Sequence, residues 1–164
     1  MKHFVFLICW SLSWSGYAHM TSSNKTTYGY IEKVTLMAKH LELAAKLDTG
    51  AKSSSLNALD IEKLEKDGKT YLRFKVPTKQ GGVIFMAEYL GKVQIKTRTD
   101  ENKHATPEPI RRPVVLMRIK LGQKEQDISV NLTNRQHFNY PLLLGRDALK
   151  ALSGVVDPSL MFTL

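Results

Sequence analysis

The chain has 164 residues, 24 Lys plus Arg against 15 Asp plus Glu, a formal net charge of +9 and a single cysteine. That length fits one domain with its own core and is short for two. One cysteine excludes a disulfide framework within the chain and a thiolate metal centre. The positive field favours acidic partners, but the charges recur along alternating segments (Arg73, Lys75, Lys92, Arg118, Lys120), as on a solvated β surface.

The chain opens with Lys2 and His3, then an apolar run from Phe4 to Trp14 broken only by Ser11 and Ser13, then Gly16-Tyr17-Ala18. This three-part pattern predicts a signal peptide over residues 1–18. The protein is then expected to be exported, to the periplasm or beyond, after cleavage near Ala18. The run is too short to span a bilayer, so no stable membrane insertion is expected. Cys9 lies inside it, preceded by Ile8 where lipidation needs a small residue. Residues 19–27 are polar and read as a flexible leader, leaving residues 28–164 as the domain.

Beyond the leader, period-two alternation and β-branched residues dominate. Strands are expected over Tyr28–Leu36, Leu41–Leu47, Tyr71–Pro77, Val83–Tyr89, Val93–Thr99, Arg112–Leu121, Gln126–Leu132 and Leu142–Leu144, with short terminal strands at Val155–Val156 and Leu160–Leu164. Lys66-Asp67-Gly68-Lys69 has the composition of a tight hairpin turn, and Gly81-Gly82 and Leu121-Gly122-Gln123 mark further bends. One helix is expected, Asp147 to Leu152, capped by Asp147 and ended by Gly154. The segment DENKHATPEP, residues 100–109, joins two good strands and reads as the tip of a long hairpin, a place where function concentrates. Many short strands with close turns predict an all-β barrel or sandwich.

Two motifs carry chemistry. In the first, a strand ends in Asp48-Thr49-Gly50-Ala51, followed by Lys52-Ser53-Ser54-Ser55. An Asp before Gly is usually a turn residue. The tripeptide gains weight from Pro141-Leu142-Leu143-Leu144-Gly145-Arg146-Asp147, an apolar strand ending in Gly just before the expected helix.

Together these motifs resemble the retropepsin family. There an Asp-Thr-Gly loop is followed by a flap hairpin, then by two apolar residues, Gly, Arg and a short helix. The segment Lys46 to Ala58, with Arg112-Pro113-Val114-Val115, Leu132-Thr133-Asn134-Arg135 and Leu143-Leu144-Gly145-Arg146 in order, is similar to a bacterial retropepsin-like family sometimes labelled "ATP-dependent zinc protease". The similarity runs from about Tyr28 to Leu164. It implies a closed retropepsin-like β-barrel with one short C-terminal helix and a flap hairpin.

It also implies an aspartic endopeptidase with Asp48 as the catalytic carboxylate. Such an enzyme needs two carboxyl groups around one water, sharing a proton because both cannot ionise at close range. No second Asp-Thr-Gly occurs here, so the partner carboxylate is expected from a second copy across a two-fold axis. In that picture Thr49 braces the two loops across the axis, and Gly50 and Ala51 shape the backbone around Asp48. Gly145 lies under the loop, and Arg146 ties the helix to the region after it. Asn102, Lys103 and His104 at the hairpin tip are the expected flap contacts with substrate. The basic surface, and the glutamate-adding ligases beside which related bacterial proteins are discussed, point to acidic or glutamate-rich peptides.

The five histidines, His3, His19, His40, His104 and His137, form no His-Glu-x-x-His or other tight ligand pair, and no Gly-x-x-x-x-Gly-Lys-(Ser/Thr) loop occurs. Neither zinc nor nucleotide is therefore read from the chain, and no cofactor is expected. A serine hydrolase lacks its Gly-x-Ser-x-Gly setting, and a nucleic-acid binder lacks a motif and interleaved aromatics. The rival from another class is a non-catalytic binding module that uses the same barrel to hold an acidic peptide or an envelope component, since fold does not dictate chemistry.

Overall fold

The computed structural model describes residues 25–95 and 110–164. The expected signal peptide and the flap residues Asn102, Lys103 and His104 lie outside the described residues. Ten strands run in chain order: β1 Thr26–Leu36, β2 Leu41–Leu47, β3 Ser54–Asn57, β4 Leu59–Lys66, β5 Lys69–Thr78, β6 Gly81–Ile95, β7 Ile110–Leu121, β8 Lys124–Thr133, β9 Leu142–Leu144 and β10 Gly154–Met161. A 3-10 turn, Met37–Lys39, links β1 to β2, and the helix α1, Arg146–Ala151, follows β9.

The strands are ordered β10-β1-β2-β9-β3-β8-β7-β6-β5-β4, and an additional β1–β7 pairing closes β1, β2, β9, β3, β8 and β7 into a six-stranded barrel. Closure pairs these six strands on both sides, and β10 and β4 remain as the two edge strands. The barrel mixes directions. β1 with β2 and β7 with β8 are antiparallel hairpin partners, whereas β2 with β9 and β3 with β8 are parallel. Strand β9 lies between β2 and β3, parallel to one and antiparallel to the other. Its three leucines therefore interlock two strands that precede it by most of the chain.

Strands β4, β5 and the first half of β6 form an antiparallel sheet whose inner face joins the same core. Phe74 and Phe85 stack there with centroids 5.9 Å apart, both almost fully buried. The outer face carries Arg73, Ile84 and Met86 in solvent. β6 then passes into the barrel side. Its pairing shifts between Tyr89 and Gly91, and Gly91 has φ +112°, a bulge conformation that suits glycine. The second half pairs with β7 down to Ile95 against Ile110.

The all-β barrel with one short α-helix matches the expectation from sequence, with local corrections. Thr26 and Thr27 are strand residues paired with Gly154 and Val155, not leader. Val83–Tyr89 and Val93–Ile95 are one strand, because the bulge at Gly91 bends the chain without ending it. The two short terminal strands are also one, β10, running parallel to β1. Strands β3 and β4 were not expected. β3 is buried at all four positions although three are Ser or Asn, and β4 is exposed at seven of its eight residues, so neither alternates.

The helix is not capped by Asp147. Gly145 holds the N-cap position with no side-chain cap, and Asp147 sits in the first turn, where its charge meets the positive end of the helix. Nor does Gly154 end it: Leu152 is the C-cap, Ser153 turns left-handed at φ +50°, and Gly154 begins β10. At the other end of the domain the fully buried Glu32 accepts bonds from the Gly29 and Thr163 backbone N–H groups and the Thr163 hydroxyl, holding the last residues against β1.

Candidate active site

Asp48 follows directly on β2. Its backbone N–H donates to Leu144 O at 2.8 Å, extending the β2–β9 pairing by one rung. The chain then turns, and Oδ1 of Asp48 accepts the N–H groups of Gly50 (2.9 Å) and Ala51 (3.2 Å). These two bonds fix the plane of the carboxyl group. Oδ2 has no donor among the described residues, and the side chain is half-buried beside an exposed Thr49 and Gly50. The carboxylate is thus oriented by backbone on one oxygen and open on the other.

The loop is held from below by the chain that follows β9. The N–H groups of Arg146 and Asp147 donate to Ala51 O (2.9 Å) and Lys52 O (3.1 Å), and Gly145 N donates to Ser54 Oγ at 3.2 Å. Nη1 of Arg146 reaches both Thr49 O and Gly50 O at 2.9 Å. A Cβ on Gly145 would lie 2.6 Å from Ser53 O and 2.7 Å from Lys52 O, both backbone atoms. Residue 145 must lack a side chain for the helix start to dock on the loop. Arg146 braces the Asp48 loop itself, one turn earlier than the region after the loop where its role was expected.

A cleft of about 660 Å³ opens beside the loop, lined by Ala51, Lys52, Ser53, Val93, Ile95 and Asn131. It lies between the base of the β6–β7 hairpin and α1, with room for a peptide side chain.

The structure adds a polar cluster to which the sequence reading gave no role. Asn131 on β8 donates to Ser54 O and, at 3.4 Å, to Ser53 Oγ, and accepts from Arg112 Nη1 of β7 at 3.4 Å. Arg135, in the β8–β9 connection, is buried. Its N–H meets Asn57 Oδ1 at 2.7 Å, its Nε meets Tyr140 O at 3.3 Å, and its guanidinium stacks 4.3 Å from the Phe138 ring centre. Burial and then the like charge of Arg112 push the Arg135 guanidinium below its usual range, while the Asp48 carboxylate pulls the other way. Burial pushes Arg112 down as well. One signal was present in the sequence: both arginines fall in the segments Arg112–Val115 and Leu132–Arg135 that carry the family resemblance.

Among the described residues no three His, Cys, Asp or Glu side chains converge on a point that could hold a metal. Nor is any helix among them long and apolar enough to cross a membrane.

Comparison with known proteins agrees with this geometry. A protein of Legionella pneumophila described only as of unknown function has a crystal structure 55% identical in sequence, covering 85% of this chain and 98% of that one with a TM-score of 0.75. Among curated proteins, relatives named probable alpha-L-glutamate ligase from Shewanella pealeana and Desulfotalea psychrophila are each 30% identical over 122 residues, 74% of this chain. The chain spans only about a quarter of those ligases, 26% and 25% of their lengths. The family model described as retropepsin-like aspartic endopeptidase RimB matches residues 27–164. With its closed barrel and its Asp-Thr-Gly loop held over Gly145, this chain belongs to the RimB-like family of retropepsin-like proteins.

Proposed function

We propose that the protein is an aspartic endopeptidase that cleaves acidic, glutamate-rich peptides, with Asp48 of two copies forming the catalytic pair. The observation that carries this is the setting of Asp48: one oxygen is fixed by the N–H groups of Gly50 and Ala51, the other accepts no bond among the described residues, and a cleft opens beside the following residues Ala51 to Ser53. In a symmetric dimer the two open faces would meet around one water, with Thr49 of each copy bracing its neighbour's loop. One carboxyl would be ionised and the other protonated. The ionised one takes a proton from water as the water oxygen bonds to the peptide carbonyl carbon, and the protonated one donates to the carbonyl oxygen. Collapse of the tetrahedral diol breaks the C–N bond, and the amine leaves with a proton from the pair. The hairpin bearing Asn102, Lys103 and His104 would close over the substrate.

The substrate class is supported by two features. The surface is strongly basic, and the relatives that contain a matching segment as about a quarter of their length are named for adding glutamate. Joining one activity that builds glutamate chains to another that trims them is chemically coherent. Export with cleavage near Ala18 forms part of the proposal and is checked by the mass of the native N-terminus.

The deciding experiment is Asp48→Asn in the full chain, assayed on a fluorogenic glutamate-rich peptide. Loss of at least about 10³-fold in kcat is expected, with the melting curve and the dimer retained. Equal turnover by variant and wild type would remove Asp48 from the chemistry. Binding without turnover by either would leave the barrel as a peptide-holding module.

A further inference from the structure

The geometry points to a second function for this centre: Arg112 and Arg135 form a carboxylate seat beside Asp48 that selects an acidic group in the substrate. This rests on the peptidase reading of the site and adds the residues that read the peptide.

Burying the Arg135 guanidinium without a counter-ion is costly, and the half-buried Arg112 adds its repulsion. A purely structural buried arginine normally carries a carboxylate partner. Among the described residues neither Arg112 nor Arg135 does: the five ion pairs lie elsewhere on the surface. The negative charge acting on Arg135 is Asp48, and that group is committed to the reaction centre.

The donor inventory is incomplete in the same direction. Arg135 uses its Nε on Tyr140 O and its face on Phe138, which fixes the plane of the guanidinium. Its terminal amino groups donate to no acceptor among the described residues. Arg112 spends one amino group on a long 3.4 Å bond to Asn131, and its Nε is shut away from solvent with no acceptor among the described residues. Two planar forks, one rigidly oriented, thus carry unfilled donors next to a candidate catalytic carboxylate. A carboxylate supplies the missing charge and can accept two parallel N–H bonds from a fork. Asn131 joins the seat to the Asp48 loop through Ser53 and Ser54, so a group bound there is held in register with the scissile bond.

The test compares two fluorogenic peptides of equal length, one with glutamate around the cleavage point and one with glutamine in its place. For the wild-type chain, kcat/KM is expected to favour the glutamate peptide. In Arg135→Met and Arg112→Met the ratio of the two values should fall about 100-fold, the scale of losing one partner of a buried charge pair. Arg112→Lys and Arg135→Lys keep the charge without the fork, and should recover folding and only part of the ratio. A structural role would lower both rates together and leave the ratio intact, and that result overturns the seat. Amidating the C-terminus of both peptides separates the two sources of carboxylate: rates left unchanged assign the seat to a side chain, and an equal fall in both assigns it to a chain end and overturns side-chain selection. If no peptide is hydrolysed, the peptidase reading fails on its own account. The seat is then decided by fluorescence anisotropy on the Asp48→Asn protein, where tighter binding of the glutamate peptide must vanish on adding Arg135→Met. Equal binding of both peptides to the Asp48→Asn protein would end the proposal.

Discussion

The barrel half of the molecule and the β4–β5–β6 sheet bury different materials. In the sheet the buried face is hydrocarbon and aromatic, Leu72, Phe74, Val76 and Phe85, and the polar groups stay on the surface. In the barrel, around the Asp48 loop, Ser54, Ser55, Asn57, Asn131 and Arg135 are buried as well. Area removed from water accounts for the first region. The second is held by hydrogen bonds of fixed geometry, whose loss leaves unsatisfied donors and acceptors. Apolar packing tolerates a range of shapes, whereas the polar network specifies one arrangement, and the candidate catalytic aspartate stands on the latter.

Four substitutions sharpen that contrast, from the largest effect on stability to the smallest. Phe85→Ala removes a stacked ring from the apolar sheet and should cost about 4 kcal/mol of unfolding free energy. The surviving folded fraction should still cleave at the wild-type rate per molecule, as a titration of active sites would reveal. Gly145→Ala drives a methyl group into the Lys52 and Ser53 carbonyls and should cost about 2 kcal/mol. Here turnover per folded molecule should also collapse, because the displaced atoms belong to the Asp48 loop. Comparable specific activity in these two variants would erase the distinction between the regions. Arg146→Met forfeits the bonds to Thr49 and Gly50 from a largely exposed side chain, so about 1 kcal/mol is expected in urea unfolding. Faster amide exchange at Gly50 and Ala51 should accompany it. Arg73→Ala breaks a surface pair with Glu62 at 3.0 Å and should move stability by less than about 0.5 kcal/mol.

The same contrast governs what could be read from the chain. Strands with apolar alternation were legible, β2 and β9 to the residue, and so was the Lys66–Lys69 turn, where Asp67 and Gly68 both take positive φ. β3 was illegible because Ser54, Ser55 and Asn57 look like loop residues until distant partners are known; Asn57 binds Arg135, 78 positions away, and Ser54 binds Gly145, 91 positions away. β4 was missed for the opposite reason, since a strand exposed on nearly all its residues has no buried face to impose a period. The Asp48 and Gly145 segments were found because short-range motifs encode them. Arg112 and Arg135 carried no role in the sequence because their meaning depends on what does not pair with them, a property of the folded chain.

The insertion of β9 between β2 and β3 has a consequence for biosynthesis. Thr49 and the Arg146 that braces it lie 97 residues apart, and the carbonyl that receives the Asp48 N–H belongs to Leu144. Contacts of such separation form late, after the entropy of closing a long loop has been overcome. A nascent chain still emerging from the ribosome would carry the aspartate in an unsupported loop until β9 and Arg146 have emerged. The Asp48 loop would acquire its shape only once the Leu142–Arg146 segment can dock against it.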